Sequence, residues 1–157
     1  MAALRSVLEG VGCADVQAYL QSGNAVVSWD RPPAALEEAV RAALEDGHLA
    51  RAPVMVRTAT EVDRVVAGNP WADEHLPPKL LHGVFLAHAA DPVRVAALDH
   101  AALAPERLAV GERVAYLYYA DGVQRSRLGA VDVGGGEATA RNWNTVLALQ
   151  RLASGAE

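Results

Sequence analysis

Apolar side chains recur at helical spacing at the start of the chain, at Leu4, Val7, Leu8 and Val11, and Gly10 and Gly12 stop the pattern. Two β-prone runs follow, residues 16–21 and 25–29, around Ser22-Gly23-Asn24. Gly and Asn accept the positive φ that a tight turn needs, so this stretch predicts a hairpin. Asp30-Arg31-Pro32-Pro33 leads into a second helix, whose Leu36, Ala39, Val40, Ala43 and Leu44 form one stripe. Glu37 and Arg41 pair on its wet face. Residues 53–57 predict a short strand. In Thr58-Ala59-Thr60-Glu61 the hydroxyl and carboxylate can answer each other's orphan amides, a capping box. The helix it starts carries Val62, Val65 and Val66 and ends at Gly68-Asn69-Pro70.

Pro70, Pro77 and Pro78 break any regular pattern between residues 70 and 79, which predicts a linker there. It separates a first subdomain, residues 1–69, from a second, residues 80–157. The second half opens with a predicted strand over 80–87, and Asp91-Pro92 is a cap followed by a helix-starting proline. Residues 107–110 and 113–119 form a second hairpin around Gly111-Glu112. Asp121-Gly122 turns the chain, Gly134-Gly135-Gly136 reads as a flexible hinge, and the last helix starts at about Asn142. Strand, helix, hairpin, helix thus occurs twice, except that the first copy has no opening strand. The fold class this predicts is α+β.

Composition narrows the function. The net charge of −5 argues against a nucleic-acid or anionic-membrane partner, since either needs a positive field. All of the 14 basic residues except Lys79 are Arg, a bias that goes with the Ala- and Val-rich composition rather than with phosphate contact. Cys13 is the single cysteine, so no intramolecular disulfide can form, which suits a reducing cytoplasm. No apolar run approaches the ~20 residues of a membrane span.

The densest polar chemistry lies in Ala140-Arg141-Asn142-Trp143-Asn144-Thr145, directly before an apolar helical run. Arg141 precedes a helix N-terminus whose free amides and dipole favour negative charge. Arg125 and Arg127 follow a turn, and Arg suits bidentate binding of carboxylate or phosphate. Arg125, Arg127, Arg141, Asn142 and Asn144 are therefore the candidate ligand-binding set. The structural alternative has Asn142 or Asn144 capping the helix, Trp143 filling core and the arginines pairing with surface carboxylates. Ser22-Gly23-Asn24 is turn chemistry before it is a site. His82 and His88 share a strand face but stand roughly 20 Å apart by strand rise, too far to share a metal. His48, His75 and His100 lack partners at ligand spacing, so neither a metal nor a cofactor is expected. Cys13 has no neighbour that would lower its pKa and reads as a buried, inert thiol. Tyr116 and Tyr118 share one strand face and Tyr119 takes the other, which favours core over a base-stacking platform.

Tyr19-Leu20-Gln21-Ser22-Gly23-Asn24 with Val26-Val27, then Tyr116 to Tyr119, Asp121-Gly122, Arg125-Ser126-Arg127-Leu128 and Ala140 to Thr145 resemble the bacterial family known as domain of unknown function 1697. The resemblance runs through nearly the whole chain in order. It implies two ferredoxin-like α+β subdomains in tandem and no assigned activity. Two departures stand out. Members of that family begin with a strand before the Met that leads into the first helix, and here Met1 occupies that place. The resemblance thus implies that the first subdomain lacks its opening central strand and that Met1 is a misassigned start, which would leave two strand edges open. Residues 129–139 are short and Gly-rich where the family has a longer helix.

Three functions fit these readings. The first is a binding module for a small anionic ligand or a protein partner at the subdomain junction. The second is an enzyme of unread reaction using Arg141, Asn142 and Asn144 with the absent strand. The third is a protein that forms a homodimer through sheet edges.

Overall fold

A computed structural model describes residues 2–20, 23–47 and 52–155. The architecture is α+β, with helices and two antiparallel sheets. Spatial contacts divide the chain into two compact units. Unit 1 is Met1–Val62 with Ala148–Glu157, and unit 2 is Asp63–Leu147.

Unit 1 begins with helix α1, Ala2–Gly10, and the hairpin of β1, Ala14–Tyr19, with β2, Asn24–Ser28. Helix α2, Pro33–Asp46, takes Pro33 in its first turn, where a missing amide costs nothing. The expected Glu37–Arg41 pair forms at 3.5 Å across one turn. Leu8 of α1, Val16 of β1, Leu36 and Val40 of α2, and Cys13 make one buried cluster, on which Ala25, Val27 and Trp29 pack. Burial pushes the Cys13 thiol up, with Arg31 opposing more weakly, so the thiol is kept protonated and inert.

Residues 53–57 are not a strand: 52–58 carry no regular structure. Val54 and Val56 do turn onto the unit 1 core, and the Val56 amide donates to Glu37 Oε2 at 3.2 Å. A strand needs a ladder partner, and among the described residues the first sheet holds β1 and β2 alone. The β-branched pattern was therefore sufficient for burial but not for pairing.

Helix α3, Ala59–Ala67, starts at the capping box as expected. Thr58 Oγ1 accepts from the Glu61 amide at 3.1 Å, and Glu61 Oε2 accepts from the Thr58 amide at 2.8 Å. In unit 2, β3 (Leu81–Leu86) lies between β5 (Val114–Tyr118) and β6 (Ala138–Asn142), and β4 (Arg107–Gly111) pairs on the far side of β5. The order β4-β5-β3-β6 is antiparallel throughout. Two short helices join β3 to β4. These are α4, Pro92–Ala96, capped by Asp91 at 2.8 Å from the Val93 amide, and α5, His100–Leu103, capped by Asp99. The chain from β5 to β6 has only two three-residue 3-10 helices, so no α-helix makes that crossover. Helix α6, Trp143–Gly155, closes the chain.

One face of this sheet carries Leu86, Leu108 and Leu117 into a core completed by Tyr119, Leu128 and Val133. The other face carries Gly83, where an added methyl would touch Val146 and Trp143. Gly134-Gly135-Gly136 is no hinge. Carbonyls of this stretch accept from the continuation of β3: the Ala87 amide donates to Glu137 O at 2.9 Å, the His88 amide to Gly135 O at 2.8 Å and the Asp91 amide to Val133 O at 2.9 Å. Gly135 has φ +88° and its backbone lies so close to β3 that a Cβ would sit 3.0 Å from His88 O. The glycines are there for close approach in a left-handed backbone, not for freedom.

Candidate functional site

Polar density in the sequence peaks at the corner where β6 runs into α6. The pairing of β6 with β3 places Arg141 opposite Gly83 and Asn142 opposite His82. Alternation then puts Thr139 and Arg141 on one face and Ala138, Ala140 and Asn142 on the other. Arg141 Nη1 donates to Thr139 Oγ1 at 2.5 Å and to the Ala140 carbonyl at 2.8 Å. The side chain is half-buried, and that burial pulls its pKa below the usual guanidinium value.

Asn142 is the cap of α6. Its Oδ1 accepts from the Thr145 amide at 3.0 Å and from Thr145 Oγ1 at 3.3 Å, and Thr145 is itself buried. Trp143 fills core at 6% exposure, with its amide donating to Pro78 O and its ring 6.0 Å from that of Tyr116. Asn144 is exposed on the first turn. Asn142 and Thr145 thus serve the start of one helix.

Arg125 and Arg127 are exposed, in the 3-10 turns between β5 and β6. The Arg127 amide donates to Glu106 Oε2 at 3.1 Å, and Ser126 Oγ accepts from the Leu128 amide at 2.9 Å, which seats Leu128 in the core. No bond among those described joins residues 125–127 to Arg141. Elsewhere on the sheet Arg107 meets Glu74 at 2.6 Å, its guanidinium near the rings of Trp71 and Tyr118. Among the described residues no cluster of three or more His, Cys, Asp or Glu could hold a metal ion. No helix of the described residues is long and apolar enough to cross a membrane.

A second candidate lies in unit 1, at a strand edge of the kind the sequence analysis points to. In unit 2 the second strand of the β4–β5 hairpin is covered by β3. In unit 1 the second strand of the β1–β2 hairpin has no ladder partner on its other side among the described residues. The two edges of this small sheet differ. The β1 edge is irregular: its register shifts between Ala14 and Gln17, Asp15 has φ +51°, and Ser28 Oγ donates to the Asp15 carboxylate at 2.8 Å. Bulges and charges of that kind keep an edge from pairing with another chain. The β2 strand, Asn-Ala-Val-Val-Ser, has no charge, no proline and no register shift of its own, and none of its residues is exposed.

The fold and these two features define a two-unit α+β protein without a recognisable catalytic constellation among the residues described. The family model described as "Protein of unknown function (DUF1697)" matches residues 1–116, and the chain belongs to that family. No curated protein matches it. Among solved structures it is similar to "conserved bacterial protein SP0830 from Streptococcus pneumoniae", at 18% identity and a TM-score of 0.70, covering 98% of this chain and 88% of that one. At that identity the likeness speaks to the fold alone, and it agrees with the α+β assignment.

Proposed function

We propose that the protein is a binding module and that its first unit takes up an extended segment along the side of β2 away from β1. The supporting observation is the contrast between the two edges of one sheet, β1 bulged and charged, β2 regular and uncharged. Main-chain hydrogen bonds would supply affinity, and the side chains of alternate residues would supply selectivity. Amide NMR with capped Val- and Thr-containing pentapeptides, flanked by lysine for solubility, tests this. Shift changes concentrated at residues 24–28 are expected. Full protection of every β2 amide in the free protein, or no response at 24–28, would refute it.

One observation favours a second ligand class. A half-buried guanidinium, Arg141, stands one residue before the cap of the 13-residue helix α6, which suits a small phosphate- or carboxylate-bearing anion. Asn144, exposed on the first turn of α6, is the nearest amide in the chain apart from the capping Asn142, and neither Arg125 nor Arg127 is required. Inorganic phosphate or sulfate should raise the melting temperature of the wild type and not of Arg141→Ala. The absence of any shift in the wild type would dispose of this second reading.

A further inference from the structure

We infer that Trp71, Tyr118 and Glu74 form a receptor for a guanidinium group, which the chain's own Arg107 occupies in place of a partner's arginine. The inference stands apart from both readings above and uses different residues.

Three parts of unit 2 converge on one cation. Arg107 opens β4 and pairs directly across from Tyr118 on β5, so both side chains leave the same face of the sheet. Trp71 and Glu74 come from the segment that follows α3, where Ala72–Glu74 is a 3-10 helix. The guanidinium carbon lies 5.9 Å from the Trp71 ring centroid and 5.8 Å from that of Tyr118. Arg107 Nη1 donates to Glu74 Oε2 at 2.6 Å. Two π faces and a carboxylate around one charge are the elements by which an aromatic site recognises a cation. A guanidinium suits them better than an ammonium, because its plane stacks on a ring while its N–H groups pair with a carboxylate.

A purely tethering role for Arg107 accounts for less. Among the described hydrogen bonds, the Trp71 amide donates to Asn69 Oδ1, the Ala72 amide to Asn69 O and the Glu74 amide to Trp71 O. Those local bonds hold the turn without the guanidinium, so one cation can replace another with little rearrangement. The Arg107 and Glu74 side chains are also 42% and 44% exposed. Exposed pairs of this kind contribute little, so an incoming arginine can displace Arg107. The net charge of −5 favours the approach of a cationic partner.

Arg107→Ala empties the receptor. N-methylguanidinium should then shift the Trp71 indole N–H in two-dimensional NMR, a signal assigned by its loss in Trp71→Phe, with Kd on the order of 1 mM. If Arg107 is seated about nine-tenths of the time, the wild type should bind about tenfold more weakly. Glu74→Gln in the Arg107→Ala background should lose about tenfold through the missing charged hydrogen bond. Methylammonium should bind Arg107→Ala more weakly than methylguanidinium does. A capped Gly-Arg-Gly peptide should rank the variants in the same order, and in the wild type it should shift the Arg107 Nε–H as that side chain is displaced. Arg107→Gln repeats the titrations if Arg107→Ala fails to fold, and the wild-type peptide arm needs neither variant. Absence of a Trp71 response in the variants, or a wild type that binds as tightly as they do, overturns the inference. A preference for methylammonium, or binding indifferent to Glu74→Gln, overturns it as well.

Discussion

Tyr116→Phe removes one oxygen, and its cost follows from where that oxygen goes. Tyr116 is central in β5 and 3% exposed, and its hydroxyl donates to Val65 O at 2.8 Å, across 51 residues of chain. Val65 lies in the last turn of α3, where carbonyls run out of intrahelical donors. The next two amides are taken elsewhere, Gly68 by Arg64 O at 2.8 Å and Asn69 by Val66 O at 3.3 Å. The sheet therefore caps the helix end, and losing the bond costs about 1 kcal/mol, or up to about 3 if the carbonyl is left dry. For a chain of this size each kcal/mol lowers the melting temperature by about 2–4 °C. Urea denaturation followed by circular dichroism reads the loss, with the slope unchanged because no surface is newly exposed. Gly68 supplies an internal check. A Cβ there would lie 2.9 Å from the Tyr116 hydroxyl and 3.0 Å from Arg64 O. Gly68→Ala should then cost more in the wild type than in the Tyr116→Phe background, a coupling of about 0.5 kcal/mol or more. A Tyr116→Phe stability within about 0.3 kcal/mol of wild type, too small for a buried hydrogen bond, would refute the capping account.

Asn142→Ala should cost about 1 kcal/mol through loss of the α6 cap, and Asn142→Asp should recover most of it, as seen by thermal unfolding. Gly135→Ala should lose about 1–3 kcal/mol, because φ is +88° and His88 O and the Leu86 Cβ leave no room for a methyl, while Gly129→Ala, in open space, should be silent. His82 carries a pH signature. Its Nδ1 is buried without a hydrogen-bond partner, and desolvation lowers its pKa below the ordinary 6.5, more than the Leu80 backbone raises it. The unfolded chain therefore binds the proton more readily. Stability should be fully present above pH 6.5 and fall as the pH drops through the depressed folded value. His82→Leu should flatten that fall in acid denaturation curves, and an unchanged slope would show that His82 does not contribute.

Local chemistry was legible in the sequence wherever one residue decides an outcome. Thr58 with Glu61 and Asp91 before Pro92 each declare an element end within a few positions, and each stands where the residues put it. The failures are non-local. Val54 and Val56 have strand chemistry but no neighbour to pair with among the described residues. Ala138–Asn142 is the reverse, a stretch with little intrinsic strand preference that becomes β6 because β3 offers its backbone. The triple glycine looked like freedom because composition cannot distinguish a loose loop from a close approach. The arginine set shows the same limit. Arg125, Arg127 and Arg141 share a chemistry, but guanidinium pattern carries no information on contact, and their described bonds run to separate partners.

Once each polar group of residues 140–145 is assigned, the motif reads as a joint between a strand and a helix. Asn142 must be both the last residue of β6, opposite His82, and the cap whose oxygen holds the Thr145 amide. Trp143 is buried with its ring over Gly83, where an added methyl would make ordinary van der Waals contact with it. A sequence so constrained by its own packing identifies a family without declaring a ligand. The less conspicuous stretch is β2, whose residues are unremarkable one by one. Its significance comes from position, as an uncharged edge in a sheet whose other edge is guarded by a bulge and Asp15. Open edges are costly to leave exposed, because they pair with whatever chain arrives. The titration at residues 24–28 therefore bears on the edge reading more directly than any change among the arginines.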